Sequence, residues 1–245
     1  MTPALFLVGS GELDAGQVVV SGPEGRHAAV VRRIREGETV DLADGRGRRA
    51  RCTVTGVDGE RIVCRVEERR DEPAPRPRLT VVQALPKGDR GELAVEMMTE
   101  AGVDALVPWA AQRCVTRWKG ARAAKSLDKW RATAREAAKQ ARRARLPEVA
   151  DPAATGAVAD LLAAADLGVV LHEDGARRLA EIALPEGGNA EIVLVVGPEG
   201  GFSDTELDAF TEAGAVRALL GPTVLRTSTA GVAALSVLQA RTGRW

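Results

Sequence analysis

The chain has 245 residues, 45% of them hydrophobic and 28% charged, with equal numbers of acidic and basic side chains. At about 150 residues per domain this length predicts two units with cores of their own, and the composition excludes an intrinsically disordered chain. A formal net charge of zero excludes a uniformly cationic nucleic-acid binder and leaves that task to local patches.

The N-terminus lacks a basic stretch ahead of an apolar run, and no segment approaches the ~20 apolar residues that cross a bilayer. A cytoplasmic protein with no membrane association is expected. Cys52, Cys64 and Cys114 are odd in number and never spaced C-x-x-C, with only His27 and His172 as further soft ligands. Plain thiols, without disulfides or a metal site, are expected.

In chain order, "QVVVSG", "ETVDLADG", "RRARCTVTGVDG" and "ERIVCRVEE" read as short strands, with Asp44-Gly45 and Asp58-Gly59 as turn signals. Residues 1–72 are therefore a small β-domain. Pro73, Pro75 and Pro77 then alternate in a semi-rigid connector, residues 73–78. From 79 to 245 apolar strands at 79–86, 104–111, 166–172, 191–196 and 215–220 alternate with helical patterns, among them "RGELAVEMMTEAG" and a basic stretch from Ala121 to Arg145. That alternation predicts an α/β domain with a parallel sheet covered on both faces.

In such a sheet a ligand lies beyond the carboxyl ends of the strands. The loops there are "HEDG", "GPEGG" and "GPTVLRTST", one after each of the last three strands. Gly197, Gly200 and Gly201 leave a backbone that another group can approach, and Pro198 stiffens it. Ser203 and Glu206 form an S-x-x-E capping box, with Phe202 and Leu207 placed for a hydrophobic staple. Thr227, Ser228 or Thr229 can cap the last helix, whose first turns (Ala230, Gly231, Ala233, Ala234) are thin enough for close packing by another backbone or another subunit. No G-x-x-x-x-G-K-[ST] occurs, and "GRGRRA" at Gly45–Ala50 sits between two strands with no helix after it. Neither a P-loop nor a dinucleotide site is expected.

"VGPEGGFSDTEL", "LGPTVLRTSTA" and the upstream "LHE" together resemble the SPOUT class of RNA methyltransferases, and within it the RsmE family. "RHAAVVRRIREGE", with His27, Arg33 and Gly37 on matching positions, and "KGDR", "EAGV", "QRC" and "QARRARLPEV" follow in that family's order, so the resemblance spans essentially the whole chain. It implies a SPOUT-type, trefoil-knotted parallel-sheet domain preceded by a PUA-like β-barrel domain, acting as a homodimer. It also implies S-adenosylmethionine as cofactor and, as product, N3-methyluridine in 16S ribosomal RNA of the 30S subunit.

By the same resemblance the cofactor is bound by Leu171, His172, Glu173, Val196, Gly197, Pro198, Gly200, Gly201, Leu220, Gly221, Leu225 and Thr227. RNA is bound by Arg33, Arg113, Gln140, Arg143 and Arg145. Removing the N3 proton requires that charge on the uracil be stabilised, and Arg226 is the leading candidate. Glu199 is either a proton acceptor or a carboxylate that caps a helix or holds a neighbouring loop. Ser228 stands where many relatives carry an acid, and Ala141 and Ala144 where relatives often carry Cys and Asn.

Nine basic residues against two acidic ones between Gly120 and Leu146, and Arg32, Arg33, Arg35, Arg46, Arg48 and Arg49 on the β-domain, supply candidate phosphate contacts. With seven aromatic residues and no Tyr, a broad stacking platform is not expected. The alternative reading is a non-catalytic RNA-binding or ribosome-assembly factor on the same fold.

Overall fold

The structure is a computed structural model that describes residues 3–187 and 189–245. The chain divides into two compact units, one formed by Met1–Ala74 with Ala138–Leu146 and the other by Pro75–Ala137 with Pro147–Trp245.

The first unit contains β1 (Ala4–Leu7), β2 (Gln17–Val20), the short helix α1 (Gly22–Arg26), β3 (Thr39–Ala43), β4 (Arg48–Asp58) and β5 (Arg61–Asp71). The strands form one sheet in the order β1-β3-β4-β5-β2, antiparallel except for β1 beside β3. Both expected turns form. Asp44 makes the first by accepting the Arg46 and Arg48 amides on Oδ1 at 2.7 and 3.1 Å, and Gly59 takes the second at φ 56°. "GRGRRA" is that first turn running into β4, as expected, with no helix behind it. Phe6, Val18, Val40, Leu42, Cys52, Ile62 and Cys64 fill the core.

Two features of this unit depart from the sequence reading. β1 was not expected, because a four-residue apolar run carries no period. The helix read through Arg145 ends at Gln140, and Ala138–Leu146 clusters with the β-rich unit. Ala144 is buried in a small group with Leu5, Leu7, Ala43 and Leu146. Arg145 donates from Nε and Nη2 to the Glu72 carbonyl at 2.9 and 2.7 Å and lies flat on Gly47, where any Cβ would collide with it.

The second unit contains β6 (Arg78–Ala84), α2 (Arg90–Glu100), β7 (Ala105–Trp109), most of α3 (Ala121–Gln140), β8 (Glu148–Val149), α4 (Thr155–Ala164), β9 (Leu167–Leu171), β10 (Arg177–Arg178), β11 (Glu191–Val196), α5 (Asp204–Glu212), β12 (Val216–Leu219) and α6 (Thr227–Arg241). Among the described residues the strands form one parallel sheet, ordered β10-β12-β9-β11-β6-β7-β8. All five expected strands are present, and being parallel they end on one edge.

α6 packs against α2, β6 and β11. Gly231 is the reason for the close fit, since a Cβ there would lie 2.6 Å from Met98 Sδ. The small-residue turns of α6 are thus filled at Gly231 and Ala234 from within this chain.

All three cysteines are buried. Burial pushes the Cys52 thiol up to about 12 and Cys64 to about 11, and raises Cys114 as well. The folded protein at about pH 8 should therefore resist a thiol-specific reagent that labels the urea-unfolded chain at once. Stopped-flow absorbance compares the two, and rapid labelling of any native cysteine would contradict the burial.

Candidate functional site

The carboxyl ends of β9, β11 and β12 carry the three loops singled out in the sequence, and these surround a cavity of about 500 Å³. A second cavity of about 350 Å³ shares Leu171, His172, Glu173, Val224, Leu225 and Ala230 with it and extends along Leu220–Thr223. The larger volume lies inside the roughly 300–1,000 Å³ range of small-molecule sites.

The glycine loop has the form the cavity needs. A Cβ on Gly197 would stand 2.5 Å from the Phe202 ring. Phe202 in turn stacks on Trp109 at 5.7 Å and meets His172 at 5.8 Å. The loop is therefore laid directly on an aromatic floor. Gly201, at φ 71°, turns the chain into α5.

α5 begins with the expected capping box: Ser203 Oγ accepts the Glu206 amide at 3.3 Å, and Glu206 Oε2 accepts the Ser203 amide at 2.9 Å. Phe202 and Leu207 are both buried in the same core, as the staple pattern requires. The capping expected for α6 does not occur. Arg226 occupies the N-cap position, no side chain caps the helix, and Thr229 Oγ1 instead donates to the Arg226 carbonyl at 3.2 Å. A β-branched threonine already inside the first turn can reach back to a carbonyl but not forward to the amides.

Most of the expected site residues come together. Leu171, His172, Glu173, Val196, Gly197, Pro198, Glu199, Gly200, Gly201, Leu225, Arg226, Thr227 and Arg113 line the larger cavity, and Leu220 and Gly221 the smaller one. Arg226 is exposed and, among the described residues, forms no ion pair. His172 Nδ1 accepts the Asp174 amide at 3.1 Å, which makes the neutral ring the Nε2–H tautomer. Glu199 Oε1 accepts the Lys87 amide at 3.3 Å, tying the glycine loop to the loop after β6. Ser228 is buried and does not line the cavity, so a carboxylate in its place would face the protein interior.

Arg33, Gln140, Arg143 and Arg145 lie in the β-rich unit instead. There Arg145 is committed to Glu72. Arg48 pairs with Asp71 and Asp14, and Arg49 with the buried Asp41 at 2.6 Å, so both are held by carboxylates.

The loop from Ala110 to Trp118, between β7 and α3, entered the sequence reading only through "QRC" and Arg113, and was not placed there in the cavity wall. Glu206 is 2% exposed, and its Oε1 accepts the Gln112 amide at 2.7 Å. Arg113 Nη1 donates to the Gly200 carbonyl at 3.4 Å, and Arg117 donates to the carbonyls of Ala111 and Gln112 at 2.6 and 2.5 Å. A capping box announces Glu206 as part of a helix start, and nothing local announces its second partner 94 residues away.

A family model described as an RNA methyltransferase domain matches residues 72–239, and another described as an RNA methyltransferase PUA domain matches residues 20–67. The chain is 51% identical over 237 residues to the ribosomal RNA small subunit methyltransferase E of Mycobacterium tuberculosis, covering 95% of this chain and 90% of that one. It is 32% identical over 232 residues to the Bacillus subtilis enzyme of the same name, covering 91% and 90%. A solved ribosomal RNA small subunit methyltransferase E from Neisseria gonorrhoeae, bound to S-adenosyl methionine, matches with TM-score 0.87 at 27% identity over 98% of both chains. A Legionella pneumophila methyltransferase in complex with the same cofactor matches with TM-score 0.86 at 28% identity over 98% of both chains. With a glycine-loop cavity at the strand ends, and relatives of this identity and coverage, the chain belongs to the ribosomal RNA small subunit methyltransferase E family.

Proposed function

We propose that the protein transfers a methyl group from S-adenosylmethionine to N3 of a uridine in 16S ribosomal RNA, acting in the cytoplasm on the 30S subunit as a homodimer. The observation that carries this reading is the convergence of the three strand-end loops on one cavity, with Arg226 exposed at its rim and, among the described residues, without an ion pair. Among the described residues no helix is long and apolar enough to cross a membrane.

The cavity suits an amphipathic ligand such as this cofactor. Apolar Leu171, Val196, Leu225 and Ala230 border it beside backbone groups bared by glycine. Leu171, Val196, Gly197, Leu220, Gly221 and Leu225 would hold the adenosine part, with His172, Glu173, Pro198 and Thr227 around it, and Gly200 and Gly201 the methionine part. The bound cofactor supplies an electrophilic methyl on a sulfonium. The protein's own residues must orient the base in line with it, exclude water, and hold the charge left when the N3 proton departs. Arg226 takes that last role. Arg113, Arg33, Gln140 and Arg143 contact RNA phosphates.

The passage from β12, next to the sheet edge, through residues 220–226 into α6 over β6 and β11 is the segment we assign to the trefoil knot. We further assign residues 1–72 to the PUA-like domain, 73–78 to the connector and 79–245 to the SPOUT domain. Ala138–Leu146 is the part of the latter that returns to the β-rich unit.

Glu199 is assigned to holding the Lys87 loop rather than to proton transfer. Glu199→Gln retains a carbonyl oxygen for the Lys87 amide, so kcat should change by less than about threefold, within ~0.7 kcal/mol. A large loss of kcat with a flattened acidic limb of the pH profile would return Glu199 to the role of base.

The reading as a whole is tested with radiolabelled S-adenosylmethionine and 30S subunits lacking the modification, with free 16S RNA alongside. The expected product, by mass spectrometry of nucleosides, is N3-methyluridine. Cofactor binding without transfer to either RNA would point to a different RNA as substrate, and no cofactor binding at all would favour the assembly-factor reading.

A further inference from the structure

The β-rich unit contains a separate concavity of about 80 Å³, bordered by Phe6, His27, Arg32, Lys139, Gln140 and Arg142. Its size is far below the roughly 300 Å³ of an ordinary small-molecule site, so it admits one small group and not a nucleoside. Its polar lining is cationic. Lys139 is buried with Nζ 2.8 Å from Glu24 Oε1, so that charge is matched within the wall. Arg32 and Arg142 are exposed, and among the described residues neither forms an ion pair. The His27 ring is steadied by an edge contact with Phe6 at 5.9 Å.

The backbone gives an independent observation. Among the described residues two that are not glycine have positive φ, Arg33 at 53° and Arg142 at 55°. Both end helical turns that border this concavity. At one, the Arg142 amide donates to the Lys139 carbonyl at 3.0 Å and the Arg143 amide to the Ala138 carbonyl at 2.9 Å, the pair of bonds that closes a helix on a left-handed residue. At the other, the Arg32 amide donates to the His27 carbonyl at 2.8 Å and the Ile34 amide to the Ala28 carbonyl at 3.0 Å, with Arg33 between them. Glycine fits such positions without cost and any side chain is strained there. Strain kept at two turns beside one cationic hollow points to a use for it.

We propose that this concavity is a socket for a single phosphate group of the substrate RNA backbone. Two uncompensated guanidinium groups, the Gln140 amide and an imidazole offer several donors to a tetrahedral oxyanion, and arginine forks match its oxygen pairs. A phosphate held there fixes the register of the RNA without reading its sequence. The proposal rests on the reading of RNA as substrate and adds a defined anchor to it.

Arg32→Gln, Arg142→Gly and the double variant test the socket against the wild type. Affinity for 30S subunits and for a short 16S fragment is measured between about 50 and 200 mM salt, together with Tm and cofactor affinity. Arg142→Gly should keep or raise Tm, because glycine suits the left-handed position, and still weaken RNA binding severalfold. The double variant should bind RNA about tenfold more weakly, with the slope of log K against log salt reduced by about one and cofactor affinity unchanged. Inorganic phosphate alone should shift the His27 ring signals of the wild type and not of the double variant. Unchanged RNA affinity and slope in the folded double variant would overturn the socket, even if phosphate alone binds. If the wild type binds RNA with the expected slope difference but transfers no methyl, the socket stands and the methyl-transfer reading falls.

Discussion

Replacing Arg226 with alanine should lower methyl transfer about 100- to 1,000-fold while S-adenosylmethionine affinity changes by less than about tenfold. The asymmetry follows from where the residue sits. Arg226 is exposed at the rim of the cavity and unpaired among the described residues, so its charge is available to a base entering from outside. The cofactor contacts assigned above come from other residues of the three loops, which the substitution leaves in place. Stability should hardly change, since Arg226 occupies an N-cap position where its side chain makes no capping bond. Single-turnover transfer at saturating cofactor isolates the chemical step, and isothermal titration gives the affinity. A transfer rate within about threefold of wild type would remove Arg226 from the mechanism.

The choice of Arg226 was open to a reading of the sequence alone, and the reason is physical. Buried parallel strands such as "EIVLVV" must be apolar throughout, so their ends are sharp, and in an open sheet the ends are where ligands go. The S-x-x-E spacing of Ser203 and Glu206 is equally local, and the capping box forms as read. What escaped was set by distant partners. "AKQARRAR" contains no glycine or proline, so nothing in it breaks a helix, yet the chain turns at Arg142 because Ala144 packs with Leu5 and Leu7 and Arg145 closes on Glu72. β8 and β10 are two residues each, too short for any period. The hydroxyl run after Arg226 has the composition of a cap, but the helix starts one residue too early for it to act as one.

Glu206 is where local and distant demands meet, and Glu206→Ala should be the most destabilising of the substitutions considered. The carboxylate is almost fully buried and accepts from both the Ser203 amide and hydroxyl on one oxygen and from the Gln112 amide on the other. Removing it deletes half of a capping box, worth about 1 kcal/mol. It also strands a partly buried amide donor, worth about 1–3 kcal/mol. A total near 3 kcal/mol corresponds to a fall in Tm of roughly 6–12 °C for a chain of this size. The loss should reach function, because the loop it holds carries Arg113 onto Gly200 in the cavity wall. Cofactor affinity should drop about tenfold, or ~1.4 kcal/mol. Glu206→Gln separates the two demands. Its one carbonyl oxygen can serve either Ser203 or Gln112, while its amide donor then faces the other N–H, so it should lie between wild type and alanine in both measurements. Thermal unfolding and cofactor titration on the same samples decide the matter: a lowered Tm with unchanged affinity would reduce Glu206 to a helix cap, and no change in either would mean the 112–206 link does not form in solution.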